Sequence, residues 1–243
     1  MMRKFLHLSV TCLLAVPLWS QGIALGVFGH NYSGAITPSV VQAQSFEQSV
    51  NQTTVQVSIS TTAGNLLVAF VRSATVTSQS ASVSDSASQS WTAVSAGKST
   101  SSTTLFGQMF YMASSAAVTT VKATFAQANL NNSIVVFEIG GAAASSPEDS
   151  SVNSNATSNV LTLASGALTT TNANDILLYA IAGNSTLGAA TAGTGYAIPT
   201  NGESSGTRIA MQYKVVSTTQ SAVTTSMSWV TQRSAVSTFA AFK

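Results

Sequence analysis

From residue 40 onward, short apolar runs recur about every ten residues, separated by Ser, Asn and Gly. Short strands at that spacing predict an all-β chain folded as a sandwich or barrel. Two kinds of strand can be distinguished. Val55, Val57 and Ile59 alternate with Gln56 and Ser58, and Val121, Ala123 and Phe125 alternate with Lys122 and Thr124. A period of two with one polar face marks a half-buried strand. By contrast Leu66–Val71, Ile134–Phe137 and Ile176–Ala182 are apolar on both faces and must be covered on both sides. Either two halves of the chain pack on each other, or the subunit buries one face in an assembly; the pattern does not choose.

The remaining strands are expected near Val40–Phe46, Ala81–Ser84, Trp91–Val94 and Phe106–Met112 in the first half, with the half-buried runs above extending over Val55–Ile59 and Val118–Phe125. The second half offers Val160–Leu163, Tyr196–Ile198, Ile209–Val215, Val223–Trp229 and Val236–Phe242. No segment combines an apolar 3.6 period with caps, so no helix is expected beyond the N-terminal segment.

The chain also reads twice. Ala63–Phe70 (AGNLLVAF) returns as Ala173–Ala180 (ANDILLYA), and Ala117-Val118-Thr119-Thr120 returns unchanged as Ala222-Val223-Thr224-Thr225. Met109-Phe110-Tyr111 is matched by Met211-Gln212-Tyr213, and each copy closes on an apolar run. This internal duplication predicts an antiparallel β-sandwich or jelly roll with repeats at 39–141 and 147–243. They form either two sandwiches or one built from both halves. Ser145-Ser146-Pro147 followed by Glu148-Asp149 reads as a solvated linker between them.

The surface chemistry is unusual. Charged residues make up 7%, against roughly 25% in an ordinary globular protein, and Ser and Thr supply more than a quarter of the chain. Nine basic side chains face seven acidic ones, but Arg3 and Lys4 lie at the extreme N-terminus, and without them the balance is seven to seven. Such a chain has no electrostatic footprint for nucleic acid or anionic lipid.

Met1–Lys4 and the mostly apolar Phe5–Trp19 have the form of an export signal, with cleavage expected after Ala24. The run is shorter than the ~20 apolar residues of a membrane span, and no later stretch reaches that length, so no membrane insertion is expected after signal removal. Residues 25–38 read as a leader. Cys12 is the single cysteine and lies inside the signal, so the mature chain is expected to be secreted or at the cell surface without disulfides.

The stretches AGNLLVAFV (63–71), VSDSASQSWTAV (83–94), QMFYMA (108–113), VTTVKATF (118–125) and SIVVFEIGG (133–141) resemble a group of secreted bacterial β-sandwich proteins. In that group a GNLLV-type strand precedes a D-S-A-G-N-x-W-like hairpin, and a V-T-V-x-F strand and an E-x-x-G end follow. With the second copy counted, the resemblance covers nearly all of the mature chain. Its motifs are structural, so it implies a fold rather than an activity. Ser88 stands where the pattern has its turn glycine, and Gly193-Thr194-Gly195-Tyr196 replaces the Asp turn in the second copy.

Candidate chemistry is sparse. His7 lies in the signal and His30 in the leader, so no Ser-His-Asp, Cys-His or zinc constellation can be assembled in the body. The carboxylates are Glu47, Asp85, Glu138, Glu148, Asp149, Asp175 and Glu203. Asp85 and Asp175 flank strands at turns, where Asp caps the local backbone. Glu138 interrupts an apolar strand and is expected to face water or to pair with Arg72 or Lys122. A calcium site needs several clustered oxygens, and Asp85 with neighbouring carbonyls is only the start of one. No cofactor or metal is expected.

Trp91, Tyr196 and Trp229 are the candidate rings for stacking on a sugar face. Against this, Trp91 and Tyr196 occupy related post-turn positions and Trp229 aligns near Phe125, which favours core packing. The expected function is therefore a secreted, non-enzymatic structural or adhesive protein, self-associating through exposed strands. A carbohydrate-binding module for extracellular polysaccharide is the alternative.

Overall fold

The structure, a computed structural model, describes residues 37–74, 79–101 and 105–243. The expected signal and almost all of the leader lie outside them. The described residues all fall in one compact unit.

The described residues contain thirteen strands and no helix. They are β1 (Ser39–Glu47), β2 (Gln52–Ser58), β3 (Leu66–Ala74), β4 (Ala81–Asp85), β5 (Thr92–Ser101), β6 (Leu105–Met112), β7 (Thr120–Asn129) and β8 (Ser133–Gly140), followed by β9 (Glu148–Ala164), β10 (Asp175–Gly183), β11 (Thr191–Ala192), β12 (Ile209–Val216) and β13 (Ser226–Phe242). One sheet has the order β1-β8-β3-β6-β5, and a second, outer sheet has β2-β7-β4. The third is β11-β13-β10-β12, with β9 running along the other side of β13. All pairings are antiparallel.

The duplication is visible in the register. β3 lies between β8 and β6, as β10 lies between β13 and β12. Tyr111 pairs with Val68 and Thr92, and Tyr213 pairs with Leu178 and Ala197. In the first repeat β1 pairs with β8 and β2 with β7; in the second, β9 makes both pairings along the length of β13. Each long strand thus does the work of two, bending where the ladder shifts between Ser228 and Ala235.

Three sequence expectations are corrected here. Glu148-Asp149 is not a solvated linker turn but the start of β9, paired with the end of β13. The polar sequence of β9 hid it, because its first half is an edge strand with no apolar face to show a period. Tyr196–Ile198 is not a strand; it contributes a single bridge at Ala197, while the two-residue β11 lies just before it. β5 runs on to Ser101, beyond the expected end at Val94.

The two-faced strands are covered from both sides by the chain itself. Leu66, Val68 and Phe70 of β3 meet Ile176, Leu178 and Ala180 of β10 in a central core that draws on both repeats. The alternate residues Leu67, Ala69 and Val71 face the outer sheet, against Val55, Val57, Val121 and Ala123. Leu177, Tyr179 and Ile181 face a third cluster with Leu168, Leu187, Met227 and Trp229. Period-two alternation therefore sends successive residues of one strand into two different cores. Gly107 permits the close approach, since a Cβ there would lie 2.8 Å from Phe70 Cζ and 2.9 Å from Val236 Cγ2 of the other repeat.

Candidate functional site

All seven carboxylates are held by the protein's own donors. Glu138 is fully buried; Oε1 accepts from Thr62 N–H (2.7 Å) and Asn65 Nδ2 (2.6 Å), and Oε2 accepts from Gln42 Nε2 (2.6 Å). It pairs with neither Arg72 nor Lys122. In the β3–β8 ladder Glu138 stands opposite Leu67, whereas Arg72 stands opposite Ser133, five residues along, or roughly 17 Å at strand rise. Three donors around one carboxylate replace the water it gives up.

Arg72 is buried as well, at 1% exposure. Its Nε donates to the Gly183 carbonyl (2.9 Å) and Nη2 to the Asn184 carbonyl (3.1 Å), both in the second repeat, while Nη1 donates to the Asn131 carbonyl of the first. Burial, and then the neighbouring Arg208, pull the guanidinium down to about 9 against a counter-pull from Glu47, so it stays charged at neutral pH. A rigid fork of five donors suits several carbonyls at once. Glu47 itself pairs with Arg208 and accepts from Ser204 Oγ (3.1 Å), joining β1 to the segment before β12.

Asp149 and Asp175 form a second polar cluster. Burial would raise Asp149, but the hydrogen bonds from Thr171 and Asn172 outweigh it and hold the carboxyl below its usual range. Asp175 is fully buried, with Oδ1 accepting from Asn172 Nδ2 (3.0 Å) and Oδ2 without a donor. Burial pushes its carboxyl up, and Asp149 adds to the shift. Glu148 accepts from Ser95 N–H and Ser151 Oγ, and Glu203 from Ala190 N–H.

Asp85 organises the first hairpin turn. Oδ1 accepts from Ala87 N–H (2.9 Å) and Gln89 N–H (3.1 Å), and Oδ2 accepts from Trp91 Nε1 (2.8 Å). Ser88, in the position of the pattern's glycine, has φ +57°. The aspartate is fully engaged in shaping this turn, and the indole is tied to it. The half-buried Trp91 packs against the cluster beneath the outer sheet. Tyr196, also half-buried, stands edge-on to Phe239 (6.3 Å) with its hydroxyl buried and its phenol pushed up to about 12 by burial. Trp229 is buried at 5% exposure and donates Nε1 to the Val160 carbonyl (2.9 Å). Trp91 thus sits in a different cluster from Tyr196 and Trp229, so the three rings form no common platform.

Ser and Thr supply much of the exposed surface, with scattered apolar side chains among them. β2 and β4 end the outer sheet and each pairs on one side only. β2 (QTTVQVS) carries no charge and no proline. Phe46, Val50 and Leu130 are exposed around the β1–β2 and β7–β8 bends, and Leu161 and Val230 near the corresponding bend of β9 and β13. The Arg72 fork was not legible beforehand, because its acceptors are backbone carbonyls and leave no trace in side-chain spacing.

No family model matches the chain, and no curated protein matches it. Among solved structures, a chain from the atomic structure of Sulfolobus turreted icosahedral virus aligns over 84% of this chain and 90% of its own length. The identity is 10% and the TM-score 0.27, a likeness that carries no functional argument.

Proposed function

We propose that this is an exported, non-enzymatic structural or adhesive protein of the cell exterior that self-associates through exposed strand edges. The observation that carries the reading is the combination of internally engaged carboxylates with a bare outer-sheet edge. Catalytic acids need a carboxylate aimed at substrate, whereas here each one holds a turn, a strand end or a neighbouring segment. Soluble sheets ordinarily guard their edges with Lys, Pro or inward charge, and β2 uses none of these. A near-neutral mature chain adds little electrostatic repulsion against association.

The test is negative-stain microscopy and sedimentation of the chain lacking residues 1–24, across a range of concentration and salt. Regular filaments or sheets, lost when Thr54→Lys and Gln56→Lys are placed on β2, are the expected result. Dispersed monomers at every concentration overturn the assembly reading and direct the next assay to polysaccharide binding.

A further inference from the structure

The two repeats hold each other along both long seams. On one, Ser99 and Ser101 of β5 donate to the Ser154 and Ala156 carbonyls of β9, and Asn153 donates back to the Ala96 carbonyl. On the other, Ser45 of β1 donates to the Glu203 carbonyl, and Glu47 receives Ser204 and Arg208. These seams are one contact made twice: the first strand of a repeat lies against the post-turn segment of the other. Between them Tyr111 meets Phe242 and Phe137 meets Tyr213, edge-on at 5.6 and 6.5 Å. The two tyrosines occupy the same position in the two copies, and each reaches across to a phenylalanine of the other repeat, although Phe137 and Phe242 stand at different register positions. This is the logic of a two-fold dimer interface, with its partners joined in one chain.

The joint is short. Ala142–Ser146 connects the repeats, with Ala144, Ser145 and Ser146 exposed. It is bounded by Gly141 at φ +78° and contains Ser146 at φ +45°, a left-handed conformation unfavourable for a residue with a Cβ.

We propose that this interface is exchangeable: the first repeat of one chain docks on the second repeat of a second copy, and the reverse, giving a reciprocal dimer. Every contact between the bodies of the two repeats is regained in the dimer, so the balance is set by the concentration and by the joint, including its bond from Ala143 N–H to the Lys243 carbonyl (2.6 Å). A short flexible joint gives an effective concentration in the millimolar range, and a joint too short to span gives almost none. Exchange therefore becomes favourable in concentrated protein, and Ser146 tilts the balance toward an opened joint. This surface is separate from the β2 edge, and the two routes to association fail independently.

The experiment refolds the chain lacking residues 1–24, which has no cysteine, at rising concentration and reads mass by light scattering after gel filtration. A dimer fraction that grows with concentration is expected. Deleting Ala144 and Ser145 should shift the protein to dimer at concentrations at least tenfold lower, and inserting a Gly/Ser segment there should shift it tenfold higher. A cross-seam disulfide, Ser99→Cys with Ser154→Cys or, at the other seam, Ser45→Cys with Glu203→Cys, is closed in dilute monomer before concentrating. Loss of the dimer in the oxidised form and its return on reduction support exchange. A dimer that persists with the disulfide closed uses another surface and overturns exchange while leaving edge pairing intact. A monomer at every concentration, unmoved by the joint variants that fold, overturns exchange outright.

Discussion

Arg72→Ala removes a buried cation that touches three backbone carbonyls in two repeats. Each carbonyl left buried without a donor costs about 1–3 kcal/mol, so the gross loss is about 3–9 kcal/mol. Two effects bring it toward the lower end. Burial and Arg208 already press on the guanidinium, as its descent to about 9 records, and truncation releases that cost. Water entering the vacated space also reaches some of the carbonyls. We expect a net loss of about 4 kcal/mol. A domain of this size loses about 2–4 °C per kcal/mol, so the melting temperature should fall by about 8–16 °C. Urea and thermal melts followed by tryptophan fluorescence and circular dichroism measure it, with Lys98→Ala, at an exposed position of β5, as the reference. Arg72→Lys should recover only part of the loss, because a single ammonium cannot span carbonyls of both repeats. An Arg72→Ala protein within 1 kcal/mol of Lys98→Ala would refute the claim that the fork joins the repeats.

Three further outcomes are expected. Ser88→Gly should stabilise by about 0.5–1 kcal/mol in urea melts, since glycine accepts φ +57° without the penalty of a side chain and returns only part of that gain as unfolded-state entropy. Gly107→Ala should cost about 1–3 kcal/mol in the same assay, because its Cβ would press on Phe70 and on Val236 across the repeat boundary. For pH, Asp175 is raised by burial. Between its unfolded pKa of about 3.9 and its raised folded value, the folded chain binds a proton that the unfolded chain does not, so its stabilising contribution is lost as pH rises through the folded value. Asp149 is lowered and acts in the opposite sense, its contribution being lost as pH falls below about 3.9. Melting temperatures across pH 3–8 should therefore decline less on the alkaline side in Asp175→Asn than in the parent chain; parallel curves would show that Asp175 titrates normally.

The sequence by itself determined the class of fold, the doubling and most strand positions. Those depend on local periodicity: Val55-x-Val57-x-Ile59 must sit half-buried, and Leu66–Val71 must be covered on both faces, whatever the rest of the chain does. Asp85 was equally legible as a turn residue, because its backbone partners at Ala87 and Gln89 lie within a few residues. Only the tertiary structure decided that the repeats cover each other, since the same two-faced strand satisfies burial inside one chain or between subunits. Only it showed β9, whose first half is polar and is fixed by pairing with β13 rather than by its own pattern. The same holds for Glu138 and Arg72. A charge inside an apolar strand signals that something must compensate it, but the compensating groups, Thr62 N–H for one and the Gly183 and Asn184 carbonyls for the other, are backbone atoms that every sequence possesses. Which of them arrive within hydrogen-bond reach is set by strand register and by the packing of one repeat on the other, and neither is written in the spacing of the side chains.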